Sequence, residues 1–224
     1  IGGAILSVLG IALSGPLLTL METPDNIRGL STTYMSIIFA GMMPNMIFNF
    51  GASILRAAGE SKKPLYYLIF AGTVNLLLNL LFVIVLKWDV AGVAVATVVS
   101  HIISAVLVVS ALTKRDDDCK LIIRKLKIYS EPLFKIFKLG IPAGIQSSLF
   151  SISNVMVQSS INSLEVTFAG VVAGNAAAQN IQNFAFAANG AFYQTAMNFT
   201  GQNVGAKRFD RVKKITYISL FMTA

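Results

Sequence analysis

The chain has 224 residues, of which 55% are hydrophobic, 10% aromatic and 12% charged, with a formal net charge of +8 and a mean hydropathy of +0.70. An ordinary soluble domain carries about 25% charged residues, so much of this surface must face something other than water. The same figures exclude a disordered chain, and a single cysteine, Cys119, excludes a disulfide scaffold or a cysteine-rich metal module.

The charged side chains fall in six short stretches, which leave seven uncharged segments: 1–21, 29–55, 64–86, 90–113, 139–164, 166–206 and 215–224. A helix rises about 1.5 Å per residue and the hydrocarbon core is about 30 Å thick, so about 20 apolar residues cross it. Five of the segments have 21 to 27 residues. The predicted fold is all-α: a polytopic transmembrane helical bundle in two pseudo-symmetric lobes. The chain begins at Ile1 without an initiator Met and stops in an apolar run, which reads as a fragment of a longer protein.

Alternate charged stretches hold 2 and 16 of the Lys and Arg residues. Basic loops stay in the cytoplasm, which places 56–63, 114–138 and 207–214 on the cytoplasmic side of a cell's inner (plasma) membrane, with the first span running outward. Segment 166–206 could be two spans joined at Asn189-Gly190. That would export Lys207, Arg208, Arg211, Lys213 and Lys214, so a single long helix is preferred.

In chain order, Glu22-Thr-Pro-Asp25 offers a breaker and a cap between the first two spans. Pro44 lies mid-span in 29–55 and is a candidate hinge, as is Pro142 near the start of 139–164. Pro64 suits the first turn of a helix, and Trp88 suits the outer interface. The one long polar connection, 114–138, divides an amino-terminal lobe (1–113) from the start of a carboxy-terminal one (139–224). Its Leu121, Ile122, Ile123, Leu126 and Ile128, interleaved with Arg124, Lys125 and Lys127, predict an amphipathic helix on the anionic leaflet. Ser130-Glu-Pro132 would end that helix and cap the next one. Small-xxx-small spacings at Gly140/Gly144, Gly170/Gly174 and Gly201/Gly205 predict close helix contacts.

No Asp, Glu, Lys or Arg lies inside a proposed span, and the one titratable group there is His101. It reads as a hydrogen-bonded packing residue or as a proton-linked one. Uncharged amides are plentiful instead. Asn75 and Asn79 share a helical face, as do Asn154 and Gln158, and the long segment carries Asn175, Gln179, Gln182 and Asn183, then Gln194, Asn198 and Gln202. A single amide is interhelical glue; so many imply water or a solute to satisfy them. A cleft lined by Gln146, Asn154, Gln158, Gln179, Asn183 and Gln194 is the expectation.

Two blocks carry a resemblance: Ile54-Leu-Arg-Ala-Ala-Gly-Glu-Ser-Lys-Lys-Pro64 followed by Asn75-Leu-Leu-Leu-Asn79 and Asp89-Val-Ala-Gly-Val-Ala-Val-Ala-Thr97, and Phe199-Thr-Gly-Gln-Asn-Val-Gly-Ala-Lys-Arg208. In order and separation they resemble the multidrug and toxic compound extrusion (MATE) family, with the seven segments as helices three to nine of twelve. The resemblance implies two six-helix lobes about a central cleft, and efflux of organic, often cationic compounds in exchange for Na⁺ or H⁺, with no cofactor beyond that coupling ion. It also implies a cation site drawing on an acidic residue of the first helix and, at the matching positions here, Asn75, Asn79 and Thr97. Asn79 stands where that family has an Asp, which removes a charge from the site. The implied partners are a small organic substrate and the bilayer, with no nucleic acid, and the protein is expected to be monomeric.

Two other readings compete. A related exporter of lipid-linked oligosaccharides would be expected to hold its diphosphate with Arg or Lys in the spans, where this sequence has none. A membrane enzyme could use Asp116-Asp117-Asp118 as a Mg²⁺ site, but Lys114, Arg115 and Lys120 flank the triplet and no second acidic motif accompanies it.

Overall fold

The computed structural model describes residues 2–20, 25–117, 119–164 and 170–223. Among them there is no strand. The helices are α1 (Gly2–Leu20), α2 (Asp25–Ala40), α3 (Met42–Ala57), α4 (Lys62–Asn79), α5 (Asp89–Thr113), α6 (Ser130–Leu164), α7 (Val171–Gly205) and α8 (Phe209–Thr223). A π-helical turn, Leu80–Val85, continues α4, and a single 3₁₀ turn covers Ile123–Lys125. The first connection, Glu22-Thr-Pro-Asp25, lies outside the described residues except for Asp25, where α2 starts.

The chain divides into two compact units, Ile1–Ile123 and Arg124–Ala224. In the first, Gly2–Thr19, Lys62–Val85 and Asp89–Thr113 are long and apolar enough to cross a membrane, and α2 and α3 make a fourth span if the bent pair is counted as one. In the second, the amides of α6 and α7 lower the apolarity of two helices that are each 35 residues long, or about 52 Å.

α5 is the axis of the first unit and packs against α2, α3 and α4. Its buried residues Ala96, Ser100, Ser104, Val108 and Leu112 recur every four positions, so they form one stripe. Small side chains in that stripe let neighbouring backbones approach. The buried hydroxyls are satisfied within the helix, Ser100 Oγ donating to the Thr97 carbonyl (2.7 Å) and Ser104 Oγ to that of Ser100 (2.9 Å). Val108 and Leu112 meet Ala52 and Leu55 of α3 in the core cluster, with Phe48 and Tyr67 packed around it. On the far side, Ser14 of α1 and Ser36 of α2 pair through their hydroxyls at 3.0 Å.

Several local expectations change. Segment 29–55 is not one straight span: α2 and α3 meet at 41°, with Gly41 between them. Pro44 accounts for this, because its missing N–H leaves the Ala40 carbonyl without its intrahelical donor and its ring crowds that carbonyl. The bend therefore falls upstream of the proline, and Pro44 itself rides in the first turn of α3, where its missing N–H leaves the bonds within α3 intact. Pro142 does not interrupt its helix. α6 starts at Ser130, with Glu131 in its first turn, where an acidic side chain complements the helix dipole, and runs on through Pro142.

The linker does not form the expected amphipathic helix. Only Ile123–Lys125 turns, because the Leu121 N–H bonds back to the Leu112 carbonyl at 3.0 Å, folding the chain onto the end of α5. Closely spaced Arg124, Lys125 and Lys127 also disfavour a helix there. The long segment, in contrast, is a single helix with no break at Asn189-Gly190.

The small-residue contacts lie elsewhere than expected. A Cβ on Gly140, Gly144, Gly174, Gly201 or Gly205 would meet nothing within 4 Å, whereas one on Gly10 would strike the Phe39 ring, one on Gly41 the Val98 side chain, and one on Gly51 the Val108 side chain. Trp88 is half exposed and stacks on Phe82 with ring centroids 5.2 Å apart.

Candidate functional site

The polar face of α4 turns toward α5. Asn79 Nδ2 donates to Asn75 Oδ1 (3.1 Å), Asn75 Nδ2 donates to Thr97 Oγ1 (3.5 Å), and the Thr97 hydroxyl donates to the Val93 carbonyl (2.9 Å). All three side chains are half-buried. Helical spacing explains the first bond, since residues four apart lie one above the other. The second depends on α4 and α5 packing side by side, which the short connection between them allows.

Every donor in this relay points the same way. One acceptor is left at the open end: Asn79 Oδ1 is inaccessible to solvent and, among the described residues, has no hydrogen-bond partner. A buried carbonyl oxygen without a donor costs about 1–3 kcal/mol, and such an orphan marks a place for a cation, a water or a donor from elsewhere. The helix changes character at the next residue, because the π-helical turn begins at Leu80. Such turns often accompany functional sites, and no periodicity of the sequence announces this one.

Chemically the constellation is neutral: two amides and a hydroxyl, offering hard oxygen atoms and no titrating group. Its oxygens suit a hard cation. A proton would need another carrier. His101, one turn past Thr97 on α5, is half-buried and is the nearest titratable residue along that helix. Among the described residues, no three His, Cys, Asp or Glu side chains cluster to hold a metal.

In the second unit, Gln158 of α6 and Gln179 of α7 come together: Gln158 Oε1 accepts from Gln179 Nε2 at 3.4 Å and from Asn175 Nδ2 at 3.2 Å. The structure does not gather the other expected cleft residues around them. Gln146, Asn154 and Asn183 lie on exposed faces, and Gln194 is half-buried farther along α7. Asn175 joins the cluster through its four-residue spacing from Gln179, a signal present in the sequence but given no weight among the cleft positions. The acidic triplet is otherwise engaged: Asp117 pairs with Arg115, and Asp116 with Lys120 at 3.3 Å, while Asp118 lies outside the described residues. The Arg115 hydrogen bond holds the Asp117 carboxyl below its ordinary range.

The MatE family model matches residues 1–81, a stretch that includes both Asn75 and Asn79. The probable multidrug resistance protein YoeA of Bacillus subtilis is 32% identical over 231 residues, covering 98% of this chain and 48% of that protein. The chain belongs to the MATE family. YpnP, another probable multidrug resistance protein of Bacillus subtilis, is 34% identical over 211 residues, covering 91% of the chain and 44% of itself. This MATE chain thus spans about half the length of the curated relatives it matches. Solved structures share the fold: a mutant of the Vibrio cholerae MATE transporter VcmN superposes with a TM-score of 0.84 at 22% identity, over 97% of this chain and 49% of that one. A MOP superfamily transporter from Pyrococcus furiosus, for which a reversed pocket polarity suggests a different function, gives 0.85 at 19% identity, over 98% and 48%. The all-α, membrane-spanning architecture read from the charge pattern is that of this family.

Proposed function

We propose that this MATE protein is a secondary active efflux transporter, exporting organic and often cationic compounds in exchange for Na⁺ or H⁺ by alternating access between two lobes. The observation that carries the reading is the buried, unpartnered Asn79 Oδ1 at the end of a directed hydrogen-bond relay inside a membrane helix. A cation or its water at this acceptor would complete the hydrogen bonding of the relay. The names of the Bacillus subtilis relatives point to drugs as substrates. The amides of α6 and α7, Gln158 and Gln179 first among them, are the groups we assign to substrate. Because those groups carry no charge, they favour ligands recognised by shape and hydrogen bonding over ligands held by ion pairs. Export of a lipid-linked diphosphate is the weaker reading, since that cargo calls for cationic side chains within the spans.

Counterflow of a labelled cationic dye in proteoliposomes, with Na⁺ and pH gradients imposed separately, tests this. One gradient should drive dye movement; dye transport indifferent to both, in a folded preparation, would overturn the antiporter reading. Gln158→Leu with Gln179→Leu should slow dye movement while leaving membrane insertion intact.

A further inference from the structure

The basic residues of the long connection divide into two groups. Those before Leu121, Lys114 apart, are neutralised within the protein: Arg115 bridges Glu60 and Asp117, and Lys120 pairs with Asp116. Those from Arg124 to Lys138 are not. Five cations, Arg124, Lys125, Lys127, Lys135 and Lys138, stand there against one anion, Glu131. That anion is taken by Lys135 at 2.6 Å. Among the described residues, Arg124, Lys125, Lys127 and Lys138 form no ion pair, and all four are exposed.

Between these charges lie bulky apolar side chains that no neighbour covers: Leu126 is 66% exposed, Ile128 67%, Tyr129 64% and Phe134 70%. Helix length fixes where they sit. The uncharged part of α6, 139–164, has 26 residues, or about 39 Å, which already spans the hydrocarbon core of about 30 Å. The first turns of α6, Ser130–Lys138, and the non-helical residues before them are therefore left at headgroup depth. Aromatic rings and long cations are stable at that level.

We propose that Arg124–Lys138 is a docking strip for anionic phospholipid headgroups, with Arg124, Lys125, Lys127 and Lys138 contacting phosphates while Leu126, Ile128 and Phe134 enter the acyl boundary. The residues before α6 bind without becoming an amphipathic helix: a basic segment with interspersed apolar anchors meets the surface, and the start of α6 holds it at the right depth. This rests on membrane embedding alone and is independent of the transport reading.

The test is hydrogen exchange of the 124–138 backbone in the full gene product, reconstituted in nanodiscs of phosphatidylcholine alone or with about one-third phosphatidylglycerol. Each basic side chain near an anionic surface changes partition by about fivefold, so exchange should slow at least about fivefold in the anionic discs and recover in high salt. The combined Arg124→Gln, Lys125→Gln, Lys127→Gln and Lys138→Gln variant should lose the lipid difference, while Lys213→Gln with Lys214→Gln, removing charge elsewhere, should keep it. Equal exchange in both lipids would overturn the proposal. So would equal protection by inorganic phosphate in neutral discs, which would make the strip a free-anion site, or a lipid difference surviving in the fourfold variant.

Discussion

Gly51 and Gly140 look alike in the sequence, each a glycine in an apolar helical segment. Their surroundings differ: a methyl added to Gly51 would strike Val108, and one added to Gly140 would meet nothing within 4 Å. Gly51→Ala should therefore cost about 1–3 kcal/mol by overpacking, while Gly140→Ala should be neutral or stabilising by up to about 1 kcal/mol through helix propensity. Thermal unfolding in detergent reads the difference, and an unchanged midpoint for Gly51→Ala would contradict the α3–α5 contact. Asn79 offers a second comparison. Asn79→Leu removes the orphan acceptor and should abolish cation dependence of transport. Asn79→Asp adds a carboxylate at the same place and should raise apparent Na⁺ affinity about tenfold or more, since an opposite charge nearby is worth several kcal/mol at intermediate dielectric. If the Na⁺ dependence of both variants matched the parent, Asn79 would hold no ion.

At the level of the helices, the bend between α2 and α3 has a removable cause. Pro44→Ala restores a donor for the Ala40 carbonyl, so the 41° angle should decrease and the far ends of the two helices should move apart. Spin labels at positions 30 and 54 would report a longer distance. An unaltered distance would assign the bend to the close contact of Gly41 with Val98 instead. The proline was legible in the sequence; the place of the bend was not, because a proline acts on the carbonyl four residues before it and the tight glycine sits between. The same holds for packing. The sequence offered three small-xxx-small spacings, and the closest approaches lie at Gly10, Gly41 and Gly51, which share no spacing and depend on which bulky residue stands opposite. Asn75 and Asn79 were legible as one face, and family likeness supplied Thr97. The π-helical turn beyond them left no mark in the pattern.

For the whole molecule, the partition of charge did most of the work, because the cost of placing ions in hydrocarbon forces a pattern that no single residue carries. Its orientation can be checked with a native probe. Cys119 is exposed and lies in a loop that the charge bias predicts to be cytoplasmic. A membrane-impermeant maleimide should label it in inverted vesicles and leave it unlabelled in right-side-out ones, read on the tryptic peptide. The reverse result would turn the topology over. The amide-rich second unit was legible in composition. Which amides meet was not: Gln158 finds Gln179 and Asn175 because two long helices come together there, a fact of tertiary geometry.

The neutrality of the Asn75–Asn79–Thr97 relay has an electrical consequence. A carrier with a carboxylate at this position is anionic when empty and uncharged when occupied by a monovalent ion, so the membrane potential acts on its return journey. Asn75, Asn79 and Thr97 themselves add no charge when vacant, so any charge that compensates a bound ion comes from groups outside the relay. Where those groups supply none, the potential acts on the loaded step, and inward movement of the ion becomes the voltage-sensitive half of the cycle; where they supply a carboxylate, resetting of the empty carrier does.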